Sequence, residues 1–328
     1  MRPTLHGRLI NGRFGDPALF VSALHARDAI LFDAGDLSSL SARDLLRVRR
    51  LFVSHMHMDH WIGFDALLRV NVGREARIDV AGPPGIIDAV AHKLAAYTWD
   101  LAGRYETDLV WTVTEWHGGP RLARARFRFL QGFAREELES APADGGVLAR
   151  TADWTVTAAL LEHHGPCLGF LLAEPCHVNV WRNRVKARGL PLGPWLNGLK
   201  AAVRDGRGDD WPVPLPHGET APLGSLRDVV STEPGQRLGY VTDVADTPSN
   251  CAAIARLCAG ADTLFIEARF AAADAALAAA RAHLTTAAAG AIARAAAARR
   301  VEPFHFSPRY EGAEDAMLRE VATAFARA

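Results

Sequence analysis

Three histidines and an aspartate lie within six residues, directly after a short apolar run. The stretch LFVSHMHMDHWIGFD, residues 51–65, predicts a buried strand that ends in a tight loop, and this loop carries His55, His57, Asp59 and His60. Polar side chains so close to a core need partners, because burying them without any costs free energy. Imidazole nitrogens and carboxylate oxygens are ligands that zinc binds. The loop therefore predicts a metal site, and the alternation of its side chains suits two ions.

More histidines follow two other predicted strands. The run WTVTAALL leads into LEHHGPCLGF, which places His163 and His164 at the end of a strand. Because side chains alternate along a strand, only one of the two can face the metal site, and the spacing does not choose between them. His305 follows a short apolar strand in VEPFHFSPRY, and Ser307 and Arg309 come just after it.

Carboxylates end three further predicted strands. Asp243 ends LGYVTD and Glu267 lies near the end of TLFIEARF, so both are candidates for a metal site. Asp33 ends AILFD, and we expect it to orient a ligand histidine rather than to bind an ion itself. His283 interrupts the Ala-rich run 271–300 before two threonines that can cap a new helix, and it is either a functional histidine or a helix-cap residue.

The segment 181–211 concentrates positive charge. It contains three tryptophans, three aspartates and seven cations, which are Arg182, Arg184, Lys186, Arg188, Lys200, Arg204 and Arg207. Aromatic rings and cations together suit binding of a nucleic-acid backbone. An exposed basic insertion without a ligand fits the same composition equally well.

The composition is that of an ordinary globular protein. The 328 residues are 49% hydrophobic and 23% charged, and 37 Lys and Arg balance 37 Asp and Glu, so any nucleic-acid contact must be local. The four cysteines form no C-x-x-C pair, which suits reduced thiols. We find neither a signal segment nor an apolar run of the roughly 18 residues that a membrane span needs, and we expect a cytoplasmic protein with no membrane partner.

The secondary-structure pattern mixes two kinds of unit. The run RIDVAGPPGIIDAVAHKLAAYTWDL predicts a strand, a turn and a helix, whereas VWTVTEW, ARFRFL and WTVTAALL predict antiparallel strands. Apolar spacing over 61–70 predicts an amphipathic helix after the histidine loop, and a serine precedes the predicted helix in SARDLLRVR. Both helices and strands are therefore expected in one architecture.

Several motifs, in order and over nearly the whole chain, resemble the metallo-β-lactamase superfamily and within it the ribonuclease Z group. They are SHMHMDH, HHGPCLGF, YVTDVADT, EARF with HLTT, and HFSPRY, together with GLPLGPWLNGLK in the basic segment. The resemblance implies an α+β fold, an αβ/βα sandwich of two mixed β-sheets with helices on the outer faces. We expect a single domain of this fold over residues 1–328, with an inserted basic arm containing Gly and Pro at about 176–225.

The resemblance also implies a dinuclear site with two zinc ions per chain. One ion would be held by three imidazoles, those of His55, His57 and His163. The other would be held by a carboxylate and two imidazoles, those of Asp59, His60 and His305. Asp243 would bridge the two ions. Manganese or iron can bind to such a mixed nitrogen and oxygen site as well.

Two divalent ions close together can clamp a phosphodiester for in-line attack. In this chemistry Asp59 can take the proton of the attacking water. The resemblance makes His283 the group that contacts the phosphate and protonates the leaving oxygen, with Glu267 orienting it. The expected substrate contacts are Ser307, Arg309, Arg182, Arg184, Lys186, Arg188 and Lys200.

The predicted function is a metal-dependent phosphodiesterase that resembles ribonuclease Z. Its expected substrate is RNA, a tRNA precursor whose 3′ trailer it removes as an endonuclease, and a homodimer is expected as in that group. The alternative is a small-molecule phosphodiesterase, for example for cyclic nucleotides, on the same metal site. A β-lactamase or thioesterase would share only the first motif, and Arg309 beside the last ligand suits a phosphate better than an acyl group.

Overall fold

A computed structural model describes residues 4–24, 26–216 and 218–326. Its strands, in chain order, are β1 (Leu5–Leu9), β2 (Leu19–Ala23), β3 (Ala29–Phe32), β4 (Val48–Phe52), β5 (Ala76–Gly82), β6 (Leu109–Trp116), β7 (Arg121–Arg128), β8 (Arg135–Pro142), β9 (Val147–Arg150), β10 (Thr155–Glu162), β11 (Pro166–Ala173), β12 (His177–Val180), β13 (Pro212–Pro214), β14 (Thr220–Pro222), β15 (Val230–Glu233), β16 (Arg237–Val241), β17 (Thr263–Glu267) and β18 (Val301–Phe304).

The α-helices of the same residues are α1 (Ala42–Leu45), α2 (Met58–Trp61), α3 (Phe64–Asn71), α4 (Ile86–Ala95), α5 (Arg182–Ala187), α6 (Trp195–Arg204), α7 (Leu223–Leu226), α8 (Pro248–Leu257), α9 (Ala275–Ala280), α10 (Thr286–Ala295) and α11 (Glu314–Ala326). None of these helices combines the length and the apolar character that a membrane crossing requires.

The chain divides into two compact units. The first comprises the described residues of 1–150, 155–172 and 237–328. The second comprises residues 151–154 and the described residues of 173–236, a span that includes the predicted basic arm.

Two mixed sheets form the first unit. One has the strand order β1-β2-β3-β4-β5-β6-β7-β8, and its middle strands β3 to β6 run parallel while the outer pairs are antiparallel. The other has the order β18-β17-β16-β11-β10-β9, with β16, β17 and β18 parallel and β10 antiparallel to β9. This mixed α+β arrangement confirms the predicted fold class.

The central strands are apolar on both faces, because each face is covered. Leu31 and Leu51, on β3 and β4, are fully buried in a cluster that includes residues of α1, α3 and α4. Phe32 and Phe52 point the other way, and the ring of Phe32 lies 5.5 Å from that of Phe170 on the second sheet. Alternation along a parallel strand thus places one residue against the helices and the next between the sheets.

The prediction of one helix over 61–70 is wrong at its start. The structure has two helices there, α2 and α3, which meet at Gly63, whose N–H donates to the carbonyl of Ala34 at 2.8 Å. A Cβ atom at Gly63 would lie 2.1 Å from the carbonyl oxygen of Gly35. The close backbone approach therefore sets a break that helical periodicity alone does not reveal.

The predicted helix starts are confirmed at two places. The hydroxyl of Ser41 accepts a hydrogen bond from the N–H of Asp44 and caps α1. The hydroxyl of Thr285 accepts one from the N–H of Ala288 and caps α10. The Ala-rich run is thus two helices, α9 and α10, with residues 281–285 between them.

The second unit has a small core of its own. It contains two two-stranded sheets, β12 with β15 and β13 with β14, and the helices α5, α6 and α7. Its buried core residues are Val185, Leu199, Ala202, Val213, Leu223, Leu226 and Val229. The basic segment is therefore folded around apolar contacts rather than extended.

The packing of α10 on α11 predicts the effect of one added methyl group. A Cβ atom at Gly290 would lie 2.5 Å from the carbonyl oxygen of Val321 and 2.7 Å from Cβ of Ala324. Because the two helices must move apart to admit it, Gly290→Ala should lower the free energy of unfolding by about 1–3 kcal/mol. Urea unfolding followed by circular dichroism measures this.

The control is Gly103→Ala in the same unit, where a Cβ atom would meet nothing within 4 Å. That variant should stay within about 0.5 kcal/mol of the parent. Equal unfolding midpoints for Gly290→Ala and the parent would contradict the packing argument.

Candidate metal centre

The candidate site lies where strands of both sheets end. Asp33 directly follows β3, Asp243 is the second residue after β16 and His305 directly follows β18. These three residues have positive φ angles of 55°, 45° and 60°. Non-glycine residues seldom adopt this left-handed conformation, and where it occurs the surrounding structure must hold it. The backbone therefore turns sharply at each strand end, at residues of the predicted site.

Seven of the predicted site residues form two neighbouring groups, in each of which the potential ligand atoms lie within 4.8 Å of one another. The first cluster consists of His55, His57, His163 and Asp243. The second cluster consists of Asp59, His60 and His305. The two clusters divide the histidines and Asp59 in the same way as the resemblance, and Asp243 is grouped here with the first cluster.

The carboxylate of Asp243 lies between the two clusters. Its Oδ2 is 3.6 Å from Nε2 of His55 and 3.7 Å from Nε2 of His163. Its Oδ1 is 3.4 Å from Nε2 of His60 and 3.1 Å from Nε2 of His305. Each oxygen therefore faces a different cluster, which is the arrangement that a bridging carboxylate needs.

Two buried nitrogens of the clusters show that the site fits a metal. Nε2 of His55 and Nε2 of His60 are buried and have no hydrogen-bond partner among the described residues. The 3.4 Å approach of His60 to Asp243 does not have hydrogen-bond geometry, so it does not satisfy the ring nitrogen. Such atoms cost free energy unless something binds them. A divalent ion held by imidazoles and carboxylates satisfies both nitrogens.

The electrostatics favour neutral imidazoles in the first cluster. Burial, and then the neighbouring His60, lower the pKa of His55 to about 2 against the opposing charge of Asp243. Burial also lowers the pKa of His163. A neutral imidazole keeps a lone pair free, and metal binding requires this form of the side chain.

Asp33 holds one of the second-cluster ligands in place. Its Oδ2 accepts hydrogen bonds from Nδ1 of His60 and from the Tyr240 hydroxyl, both at 2.9 Å, and from the Ser54 hydroxyl at 2.7 Å. Its Oδ1 accepts from the N–H of Ser54 at 2.6 Å. Because Nδ1 of His60 is engaged, Nε2 is left to face the cluster. The structure therefore agrees with the prediction that Asp33 orients a histidine.

The two histidines after β10 have different environments in the structure. His163 is buried in the first cluster, and its Nδ1–H donates a hydrogen bond to the carbonyl oxygen of Ala282 at 2.8 Å. His164 is exposed and belongs to neither cluster. A backbone carbonyl thus orients His163, as carboxylates orient other ligand histidines.

Glu267 and His283 form a third group with Asp243. Glu267 is fully buried, its Oε1 accepts from the N–H of Val244 at 2.7 Å, and its Oε2 lies 2.9 Å from Nδ1 of His283. Burial lowers the pKa of His283, but the charge and hydrogen bond of Glu267 outweigh it, so this pKa is raised above 6.5. Glu267 therefore stabilises the protonated form of His283 relative to a free imidazole.

Arg269 also lies at the second cluster, and sequence reasoning did not identify it. Its Nη1 donates to Nε2 of His305 at 2.5 Å. The available signal was a cation two residues after Glu267, at the end of a strand that points toward the site. The sequence does not show that this arginine lies near His305, because that depends on which strands are neighbours in the sheet.

The predicted contacts after β18 lie outside both clusters. The N–H of Ser307 donates to the carbonyl of Arg269 at 3.0 Å, so Ser307 helps to hold the backbone there. Nη1 of Arg309 lies 3.9 Å from the carboxylate of Asp274, and the guanidinium carbon lies 6.0 Å from the ring centre of Tyr310. The side chain of Arg309 is 48% exposed.

The predicted contacts in the arm are of two kinds. Arg184 donates to the carbonyl of Asp228 at 2.7 Å, and Arg188 pairs with the carboxylate of Asp228 at 2.8 Å, so both stabilise the second unit itself. Three further cations have exposed or half-buried side chains, those of Arg182, Lys186 and Lys200.

The orienting role of Asp33 predicts a loss of metal affinity when its charge is removed. Asp33→Asn cannot accept all the hydrogen bonds that Asp33 accepts, so His60 should lose its fixed orientation. Metal affinity should fall by about 10- to 100-fold, as for other groups that orient ligands. Cobalt(II) titration followed by visible absorption measures this.

Tyr240→Phe is the matched variant, because it removes only one donor to Asp33. It should lower metal affinity less than Asp33→Asn does. Parental cobalt affinity in a folded Asp33→Asn protein would show that Asp33 does not orient a ligand.

Comparison with known proteins identifies relatives along nearly the whole chain. Ribonuclease Z of Deinococcus radiodurans is 35% identical over 305 residues, which cover 91% of this chain and 89% of the relative. No family model matches the chain. The crystal structure of the metallo-β-lactamase fold protein YhfI from Bacillus subtilis superposes with a TM-score of 0.54 at 15% identity, over 97% of this chain and 92% of that one.

The crystal structure of the short form of human tRNase Z superposes with a TM-score of 0.51 at 17% identity, over 93% of both chains. At these identities the two structures show the fold, and the relative at 35% identity shows the family. The protein has the metallo-β-lactamase fold and belongs to the ribonuclease Z family.

Proposed function

We propose that this chain is a metal-dependent endoribonuclease that removes the 3′ trailers of tRNA precursors. Its membership of the ribonuclease Z family supports the substrate class. The observation that carries the chemistry is the position of Asp243, whose two carboxylate oxygens face the two ligand clusters. A site of this kind suits hydrolysis of a phosphodiester bond.

We infer that each cluster holds one divalent ion, with zinc the first choice for its nitrogen and oxygen ligands. The first cluster, with His55, His57 and His163, would hold one ion, and the second, with its carboxylate and two imidazoles, the other. Asp243 would contact both. Bound there, the ions would acidify a water and neutralise charge on the phosphate. Manganese or iron would serve if zinc were scarce.

His283 has the position and the hydrogen-bond partner of a proton donor. Glu267 holds its Nδ1, so Nε2 is the nitrogen from which a proton can pass to the leaving oxygen of the cleaved ester. The charge and hydrogen bond of Glu267 raise the pKa of His283, which stabilises the protonated ring that a proton donor needs.

Asp59 is the complementary proton acceptor. It belongs to the second cluster, and its side chain remains 38% exposed, unlike the buried imidazoles beside it. An ionised carboxylate open to solvent can orient an attacking water and accept its proton.

The second unit supplies a surface that suits an RNA backbone. Trp181 and Trp211 are 47% and 44% exposed, and arginine side chains lie over both rings. Arg182 and Lys186 add exposed charge on α5. Cations and rings of this kind bind phosphates and stack on bases. A homodimer and a cytoplasmic location stay predictions from the family resemblance.

Removal of the proton donor should slow the chemistry and leave the clusters intact. His283→Ala should lower kcat on a 3′-extended tRNA precursor by about 10²-fold or more, the contribution expected of a general acid. Metal content, measured by atomic emission, should stay the same. His92→Ala on the exposed face of α4 is the control and should behave like the parent. Undiminished kcat for His283→Ala would refute the assignment.

Neutralising cations of the arm should weaken binding of RNA and leave hydrolysis of a small phosphodiester unchanged. The double variant Arg182→Gln and Lys186→Gln should weaken precursor binding several-fold. The slope of the logarithm of the binding constant against the logarithm of the salt concentration should become shallower by roughly one for each lost phosphate contact. Hydrolysis of bis(p-nitrophenyl) phosphate should be unchanged.

The matched control neutralises Arg69 and Arg319, two exposed arginines of the first unit. Failure of the parent protein to cut the precursor at any metal loading, with cleavage of a cyclic nucleotide instead, would favour the alternative of a small-molecule phosphodiesterase.

A further inference from the structure

Arg269 lies at the second cluster and has no role in the proposed hydrolysis. It follows β17 by two residues, and its guanidinium reaches the second cluster, where Nη1 donates to Nε2 of His305 at 2.5 Å. The carbonyl of Arg269 accepts from the N–H of Ser307 at 3.0 Å, and the N–H of Ala268 donates to the carbonyl of Phe304 at 2.9 Å. The backbone that directs this side chain is therefore fixed to the strand that carries His305.

The guanidinium is largely unpaired for a group of its charge. An arginine side chain is always charged and offers five N–H donors. Among the described residues no carboxylate oxygen lies within 4.0 Å of it, and its recorded side-chain partner there is the imidazole of His305. A partly buried cation with most of its donors free is suited to bind an anion.

The hydrogen bond to His305 excludes a metal ion from the same nitrogen. A neutral imidazole nitrogen has one lone pair, and Nε2 of His305 can give it either to the N–H of Arg269 or to an ion. The positive charge of the guanidinium also repels a cation nearby. An ion that binds to the second cluster through His305 must therefore displace Arg269.

The displaced guanidinium would remain near His283, the proposed proton donor. Its charge acts on His283, whose ring centre lies 6.0 Å from that of His305. The guanidinium is therefore close enough to both His305 and His283 for its charge to act on each of them. The planar fork of a guanidinium can bind two phosphate oxygens at once.

We propose that Arg269 binds the phosphate of the substrate and that its hydrogen bond to His305 couples this binding to occupation of the second cluster by a metal ion. The proposal deepens the proposed function and rests on it for the identity of the phosphate as that of a phosphodiester. An ion at His305 releases the guanidinium for phosphate, and phosphate holds the guanidinium away from His305. Linkage requires that each strengthens the binding of the other by the same factor.

The test measures metal binding with and without inorganic phosphate. Cobalt(II) is titrated into the full chain, and the second binding step is followed by visible absorption. Phosphate should tighten this step in the parent protein by about 5-fold or more, a typical size for coupled sites. Arg269→Met removes the competing donor and charge, so it should bind the second ion more tightly than the parent without phosphate, and phosphate should change this step little.

Two more variants separate charge from geometry. Arg269→Lys keeps the charge and loses the planar fork, so phosphate coupling should be reduced but not abolished. Arg299→Met is the control, because Arg299 is 74% exposed and pairs with Asp262. It should behave like the parent in every titration.

Two results would overturn the proposal. One is equal affinity of Arg269→Met and the parent for the second ion, and the other is equal strengthening of that step by phosphate in both proteins. Neither measurement involves RNA. If the tRNA precursor is cut and the coupling is absent, only this inference is lost; if the coupling is present and the precursor is uncut, the substrate assignment is lost.

Discussion

The buried carboxylate of Asp33 is the interaction on which the arrangement of the site depends. A charge taken out of water is costly unless hydrogen bonds satisfy it. Asp33 is fully buried and accepts hydrogen bonds from the backbone and hydroxyl of Ser54, from His60 and from Tyr240. Ser54 follows β4 and Tyr240 lies on β16, so one carboxylate links both sheets at the edge that carries the clusters. The cost of burying it is thereby offset, and His60 is held in one orientation.

Backbone conformation and side-chain charge both set the positions of the cluster residues at this edge of the sheets. Asp33, Asp243 and His305 all have left-handed backbones, which non-glycine residues keep only where surrounding contacts enforce them. Those contacts direct the two oxygens of Asp243 toward different clusters. Nε2 of His305 accepts a hydrogen bond from Arg269 and lies 3.1 Å from a carboxylate oxygen of Asp243. Positive and negative groups therefore meet at this nitrogen.

Glycine and local caps decide where the supporting helices begin. Gly63 allows the backbone to pass close to Gly35, and this contact separates the helix that carries Asp59 and His60 from α3. Thr285 caps α10 just after His283, so that histidine stands in a fixed turn between two helices. Short-range rules thus position residues whose partners lie far away in the chain.

The sequence by itself determined the residue types of the clusters, the strands that carry them and the caps of α1 and α10, because periodicity and capping depend on neighbours in the chain. It also indicated the family, since its motifs occur in order. Spacing did not choose between His163 and His164, and the tertiary structure places His163 in the first cluster and Asp33 against Tyr240, which is 207 residues away. The tertiary structure also revealed Arg269 at His305. These contacts depend on how the two sheets pack and where the strand ends meet, and spacing along the chain does not contain that information.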